Sequence, residues 1–110
     1  MSYVDLHLHS TFSFLDGYGS AEQILGKAKS LNRNAVAITD HGNISAHAKL
    51  ERCDKDIKLL YGCEFYLVPS VEQNARKKFH ITVIAKNESG YENLLHLVSK
   101  SWENFIISLL

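Results

Sequence analysis

What this chain has little of narrows its class before any motif is read. Lys+Arg and Asp+Glu balance at 12 each, so no global field draws it toward nucleic acid or an anionic membrane, and any contact with DNA has to be local. Only two cysteines occur, Cys53 and Cys63, in neither a CxxC pair nor a secreted-type framework. They read as reduced thiols, two small core residues, and point to a cytoplasmic compartment. No apolar run approaches the ~20 residues of a membrane span, and no basic-then-apolar leader opens the sequence, so a soluble protein is expected. Repeats and low-complexity segments are missing too. At 110 residues the chain has room for at most one small domain with a modest core.

The patterning that is present predicts alternating strands and helices. Tyr3 to His9 alternates apolar and polar, with Val4, Leu6 and Leu8 on one face and Asp5, His7 and His9 on the other, the period of a strand. A loop, Thr11 to Gly19, follows. Ser20 with Gln23 has the spacing of a capping box, which predicts a helix to about Leu31 with Ile24, Ala28 and Leu31 inward. Ala35 to Thr39 is apolar on both faces, as in a buried parallel strand, and completes a βαβ unit. A second helix is expected over Ile44 to Asp56, facing inward through Ala46, Leu50, Cys53 and Ile57. A third strand, Lys58 to Val68, is stopped by Pro69, and a fourth covers Phe79 to Ala85. The link between them, Ser70 to Lys78, is too short and polar for a helical crossover, which makes these two strands antiparallel neighbours. Ser89 with Glu92 is a further capping-box pair for a last helix, with its stripe at Tyr91, Leu94, Leu95, Val98 and Trp102.

Parallel strands followed by helices expose their functional groups at the strands' carboxyl ends. The histidines and acids gather there. His7 and His9 end the first strand, Asp16 lies in the next loop, Asp40-His41 ends the second strand, Glu64 is on the third, and the short reversal returns His80 to the same edge. Two imidazoles on one strand face suit a shared ion, yet the same spacing arises on any solvated strand face; the TDH at a second strand end tips the pair toward metal. Asp16 alone is ordinary turn chemistry before a glycine. Glu64 stands either as a solvated carboxylate or, in a mostly buried strand, as one that needs a cation nearby. His80 beside Lys77 and Lys78 reads, on spacing alone, as a surface histidine. His47 and His96 read as solvated. Arg76, Lys77 and Lys78 form a solvated loop tip, with phosphate contact as the weaker second reading.

Taken together, HLH, the Asp16 loop, TDHGN, the GCEFY strand and His80 resemble the PHP (polymerase and histidinol phosphatase) domain. TDHGN, YGCEFYLVP and FHITVIAKNESGYENLLHLVSKSW are very similar to the amino-terminal PHP domain of bacterial DNA polymerase III alpha subunits, over about Tyr3 to Asn104. The resemblance implies an α/β fold, the amino-terminal portion of a distorted (β/α)7 barrel, incomplete in this chain. A partial PHP domain would span residues 3–104, with residues 105–110 an unmatched apolar tail. The family's ligands hold up to three divalent ions, usually zinc, manganese or iron, and its first six ligand positions match His7, His9, Asp16, His41, Glu64 and His80. No catalytic group separate from these is implied. Active members hydrolyse phosphoesters, and in polymerases the implied activity is 3′–5′ exonuclease proofreading, with DNA and the rest of the replisome as partners. The family's last three ligands and the polymerase palm have no counterpart here, so the chain is expected to be a truncated or frame-shifted piece, inactive or nearly so by itself. A stand-alone PHP phosphatase acting on a small phosphate ester is one alternative, disfavoured by the polymerase-like segment Ala85 to Trp102. The other is a non-catalytic structural module in which metal serves stability.

Overall fold

A computed structural model describes residues 3–53, 56–69 and 78–109, with side chains as far as Asn104. Its elements run α1 (Ala21–Ser30), β1 (Ala35–Ile38), α2 (Ser45–Leu50), β2 (Lys58–Leu67), β3 (Phe79–Ile84) and α3 (Glu88–Leu109). The sheet order is β1-β2-β3. β1 and β2 are parallel, with Ala35 opposite Lys58 and Ile38 opposite Tyr61. β2 and β3 are antiparallel from Gly62–Ile84 to Leu67–Phe79, as the short polar link requires. An isolated parallel bridge between His41 and Glu64 keeps the β1–β2 register beyond the end of β1.

β1 is buried along its whole length, which explains a run of Ala, Val and Ile with no polar face. Val36 and Ile38 point to the helical side. Ile38 packs with Ala21, Ala46 and Leu50, and Val36 with Leu25, Ala28 and Ile57, while Ile24 and Leu59 bridge the two groups. Fully burying each large aliphatic chain stabilises the fold by about 1.5–3 kcal/mol. α1 starts as its sequence predicts: the Gln23 amide donates to Ser20 Oγ (3.2 Å) and the Ser20 amide to Gln23 Oε1 (2.9 Å). Its inner face is Ala21, Leu25 and Ala28. Leu31, predicted to face inward, is instead the C-cap and 49% exposed, because the helix ends before completing the turn that would turn it in.

Three further expectations change. Tyr3 to His9 is extended but not a regular strand: it makes one bridge, Asp5 to Val36, and receives the amides of Ala37 at Asp5 O (3.0 Å) and Thr39 at Leu8 O (2.8 Å). The ladder stops at Ser10, whose amide goes to a side chain, Asp40 Oδ1 (2.6 Å). α2 ends at Leu50 and not at Asp56, passing into a turn in which Cys53 N donates to Leu50 O (3.0 Å); its N-cap, Ile44, offers no side-chain acceptor. α3 begins at Glu88, and Asn87 caps it by accepting from the Gly90 amide (2.8 Å). Asn is at least as good a cap as Ser and comes first in the chain, so the Ser89–Glu92 pair lies inside the helix. Among the described residues of α3 only Leu94 is buried, and Leu95 and Trp102 of the predicted stripe are partly exposed. Trp102 Nε1 nevertheless donates to Gly42 O (2.7 Å), fastening the helix over the loop after β1.

Candidate metal centre

The fold collects His7, His9, Asp16, His41, Glu64 and His80 at one mouth. The extended first segment delivers His7 and His9, the tight loop behind it delivers Asp16, and the continued β1–β2 register sets His41 beside Glu64. The antiparallel return of β3 brings His80 opposite Tyr66, two residue pairs from Glu64 and on the same face. Of the basic loop tip, Arg76 and Lys77 lie outside the described residues, and Lys78 stands at the start of β3.

Glu64 is the hub. It is 2% exposed, and its two oxygens face different neighbours. His7 Nε2 donates to Oε2 and His80 Nδ1 to Oε1. His9 Nε2 is 2.9 Å from Oε2, and His41 Nδ1 is 3.8 Å from Oε1. Burial pushes this carboxyl upward, but the His7 and His80 hydrogen bonds and the nearby His41 more than offset it, leaving the group below the usual glutamate range.

Two hydrogen-bond chains set which nitrogens carry protons. Asp40, 1% exposed, accepts from Ser10 Oγ (2.7 Å) and Ser13 Oγ (2.8 Å). With its own proton given to Asp40, Ser13 Oγ accepts from His9 Nδ1 (3.0 Å) and the His41 amide (3.0 Å). His9 is thereby held with its Nε2 lone pair toward the cluster, the arrangement a histidine ligand needs. On the other side His41 Nε2 donates to Asp16 Oδ2 (2.7 Å), so His41 Nδ1 is left as a lone pair. That nitrogen is buried and has no hydrogen-bond partner. A buried acceptor directed at a buried carboxylate oxygen is costly unless a cation lies between them, and the donor set of imidazoles and carboxylates suits a divalent ion.

The donors fall into three groups, His7–His9–Glu64, His9–Asp16–His41 and His41–Glu64–His80, each with its ligand atoms within 4.8 Å of one another. Any two groups share one residue, so the three bays adjoin. The loop behind them has no slack: a Cβ on Gly17 would stand 1.5 Å from Ser10 O, and Leu15, just before Asp16, takes the left-handed conformation (φ 64°).

Ser10 and Ser13 are the residues that sequence reasoning missed as site components, and Asp40, placed at the mouth, was given no role there. Asp40 was visible in TDH, but its role as an anchor depends on contacts with a segment thirty residues earlier. His47 is the reverse case. Predicted to be solvated, it is 3% exposed; its Nε2 donates to Gly62 O (3.0 Å) and its Nδ1 accepts from Tyr91 OH (3.3 Å). Burial holds this imidazole below its ordinary value. Cys63, behind the site, has its thiol pushed up to about 12 chiefly by burial, consistent with an inert core residue. His96 is exposed, as predicted.

Comparison with known proteins places this geometry. Curated relatives include the DNA polymerase III subunits alpha of Treponema pallidum, 42% identical over 93% of this chain, and of Borreliella burgdorferi, 36% identical over 91%. The chain spans about 9% of the length of each. Among solved structures, a Bifidobacterium adolescentis protein described as a metal-dependent phosphoesterase superposes with a TM-score of 0.63 at 23% identity, covering 86% of this chain and 32% of that one. An amidohydrolase from Chromobacterium violaceum gives 0.60 at 22%, covering 84% and 32%. At such identities these two speak for the fold alone. The family profile named PHP domain matches residues 5–107, and with it the chain is a member of the PHP domain family.

Proposed function

We propose that His7, His9, Asp16, His41, Glu64 and His80 are metal ligands of a phosphoesterase-type centre, and that the chain forms the amino-terminal part of a distorted (β/α)7 barrel within a protein related to the DNA polymerase III alpha subunit. The observation that carries this reading is the orphaned, buried Nδ1 of His41 facing the Glu64 carboxylate. The reaction is metal-dependent hydrolysis of a phosphoester in DNA, of the 3′–5′ exonuclease type. When bound, a divalent ion such as zinc, manganese or iron supplies Lewis-acid activation of water and of the phosphoryl oxygen. The protein's own part is positional. Glu64 offers one oxygen to each of two bays, Ser13 and Asp40 fix the His9 tautomer, and Asp16 does the same for His41. After His80 the sequence contains no aspartate, so none of its later residues supplies a further aspartate ligand. The isolated chain is therefore proposed to bind metal with little turnover.

The test is metal stoichiometry. Purified chain loaded with manganese or zinc should retain metal after desalting and melt at a higher temperature than the chelated protein. His9→Ala and Glu64→Gln should each lower the retained metal while the circular dichroism spectrum keeps its α/β signature. Unchanged stoichiometry in both variants refutes the ligand assignment. A wild-type chain that takes up no metal, with no shift in melting temperature, favours a non-catalytic module.

A further inference from the structure

Beside the proposed ligands stands an aromatic wall that they do not use. Tyr66 follows Glu64 by two residues on the same face of β2 and is 53% exposed. Its ring lies almost parallel to His41, centroids 6.2 Å apart at 9°, and His41 in turn stacks on His9 at 4.2 Å and 17°. Three near-parallel rings thus run from inside the cluster to the solvent, ending at Tyr66. The edge contact with His80, 4.7 Å at 87°, keeps the tyrosine ring from turning. Lys78 Nζ is 5.7 Å from the ring centroid. The Tyr66 hydroxyl makes no hydrogen bond among the described residues, so the fold holds this side chain by its ring and not by its polar end.

A half-exposed ring with an ammonium beside it, flanking a phosphoester centre, matches one repeating unit of a nucleic acid, a flat base beside an anionic phosphate. A small aliphatic phosphate has no flat group to stack on the ring, whereas every nucleotide has one. On the loop side of the mouth, Phe14 and Tyr18, the neighbours of Asp16 in sequence, are also almost fully exposed.

We propose that Tyr66 is the base-stacking residue of this site: its ring receives the nucleobase next to the scissile phosphate of single-stranded DNA, while Lys78 meets the adjoining phosphate. This assignment rests on the phosphoesterase reading above and adds to it the residue that recognises the substrate as a nucleotide. Because every base presents a π face, recognition through Tyr66 is indifferent to sequence.

The test uses the full chain loaded with manganese and two fluorescently labelled single strands of equal length, one carrying its bases and one abasic near the 3′ end, compared by anisotropy at one fixed ionic strength. Wild type should bind the base-bearing strand about tenfold more tightly than the abasic one. Tyr66→Phe should keep that ratio, and Tyr66→Leu should bring it close to one without changing metal stoichiometry. A wild-type ratio of one, or a ratio that survives in Tyr66→Leu, overturns the stacking role while metal uptake leaves the ligand assignment intact. Failure of the wild type to take up manganese and to bind either strand overturns both.

Discussion

Ser13 decides which nitrogen of His9 faces the cluster, although it is not itself among the proposed ligands. It gives its proton to Asp40 and accepts from His9 Nδ1, and removal of that acceptor frees the imidazole to flip its tautomer. Ser13→Ala is expected to weaken manganese binding about 10- to 100-fold, the usual cost of losing a ligand's orienting partner, with secondary structure retained. Titration calorimetry checks this, and an unchanged affinity removes Ser13 from the site. The comparison of Ser13 with His9 also shows what was legible in the sequence. That HLH, TDH and Glu64 would meet at one mouth was readable, because all three lie on parallel strands or at their carboxyl ends. The part of Ser10 and Ser13 was not, since serine in a loop is ordinary turn material and only the fold brings these two against Asp40.

At the scale of elements, the strands and the α1 cap were readable because their determinants are local: β1 by its unbroken apolar run, α1 by Ser20 and Gln23, the antiparallel pairing of β2 and β3 by the shortness of their link. The end of α2 and the start of α3 were not: α2 passes into a turn after Leu50, and Asn87 takes the capping role from Ser89 in α3. His47 was misread as well. It lies in α2 among Ala46 and Lys49, and nothing within the helix reveals that the Gly62 carbonyl and Tyr91 enclose it. Its burial has a consequence for stability with a definite sign. Burial disfavours the charged imidazole in the folded state, while the partial charges of Gly62 O and Ile38 O and the charge of Asp40 act the other way without reversing the shift. A histidine whose folded value is depressed takes up its proton more readily when unfolded. The stability it contributes is present above the ordinary value of 6.5 and is lost as pH falls through the folded value. Thermal melts of the metal-free protein should therefore show a decline below about pH 6.5 that is shallower in His47→Gln, which keeps a donor for Gly62 O but does not titrate. Equal slopes would show that His47 does not couple α2 to β2 in this way.

On the scale of the whole molecule, the site closes a long stretch of chain upon itself: His7 and Glu64 are 57 residues apart, and bringing such distant positions together has an entropic cost that grows slowly with length. The first segment is held by few bonds. Among them are the two backbone bonds from Ala37 and Thr39, the Ser10–Asp40 contacts, and the Arg33 guanidinium, over the Tyr3 ring at 4.7 Å and 3.8 Å from Asp5, while Leu8 packs against the core. Segments held by few bonds open locally without global unfolding. The amide protons of Ala37 and Thr39 thus act as two clocks on that opening, because each is covered only while the segment is in place. If His7, His9 and Glu64 hold a common ion as proposed, detachment of the segment would require that ion to be released. Hydrogen exchange at Ala37 and Thr39 should then be slower with manganese than with chelator, while the Ala85 amide, bonded to Tyr61 O at 2.8 Å across β2 and β3, exchanges at the same rate in both. Equal rates at Ala37 and Thr39 would mean that the segment does not depend on the ion. A bond made for chemistry would in this way also serve as the latch of the amino terminus, and metal content would be readable from the exchange of two protons that never touch the metal.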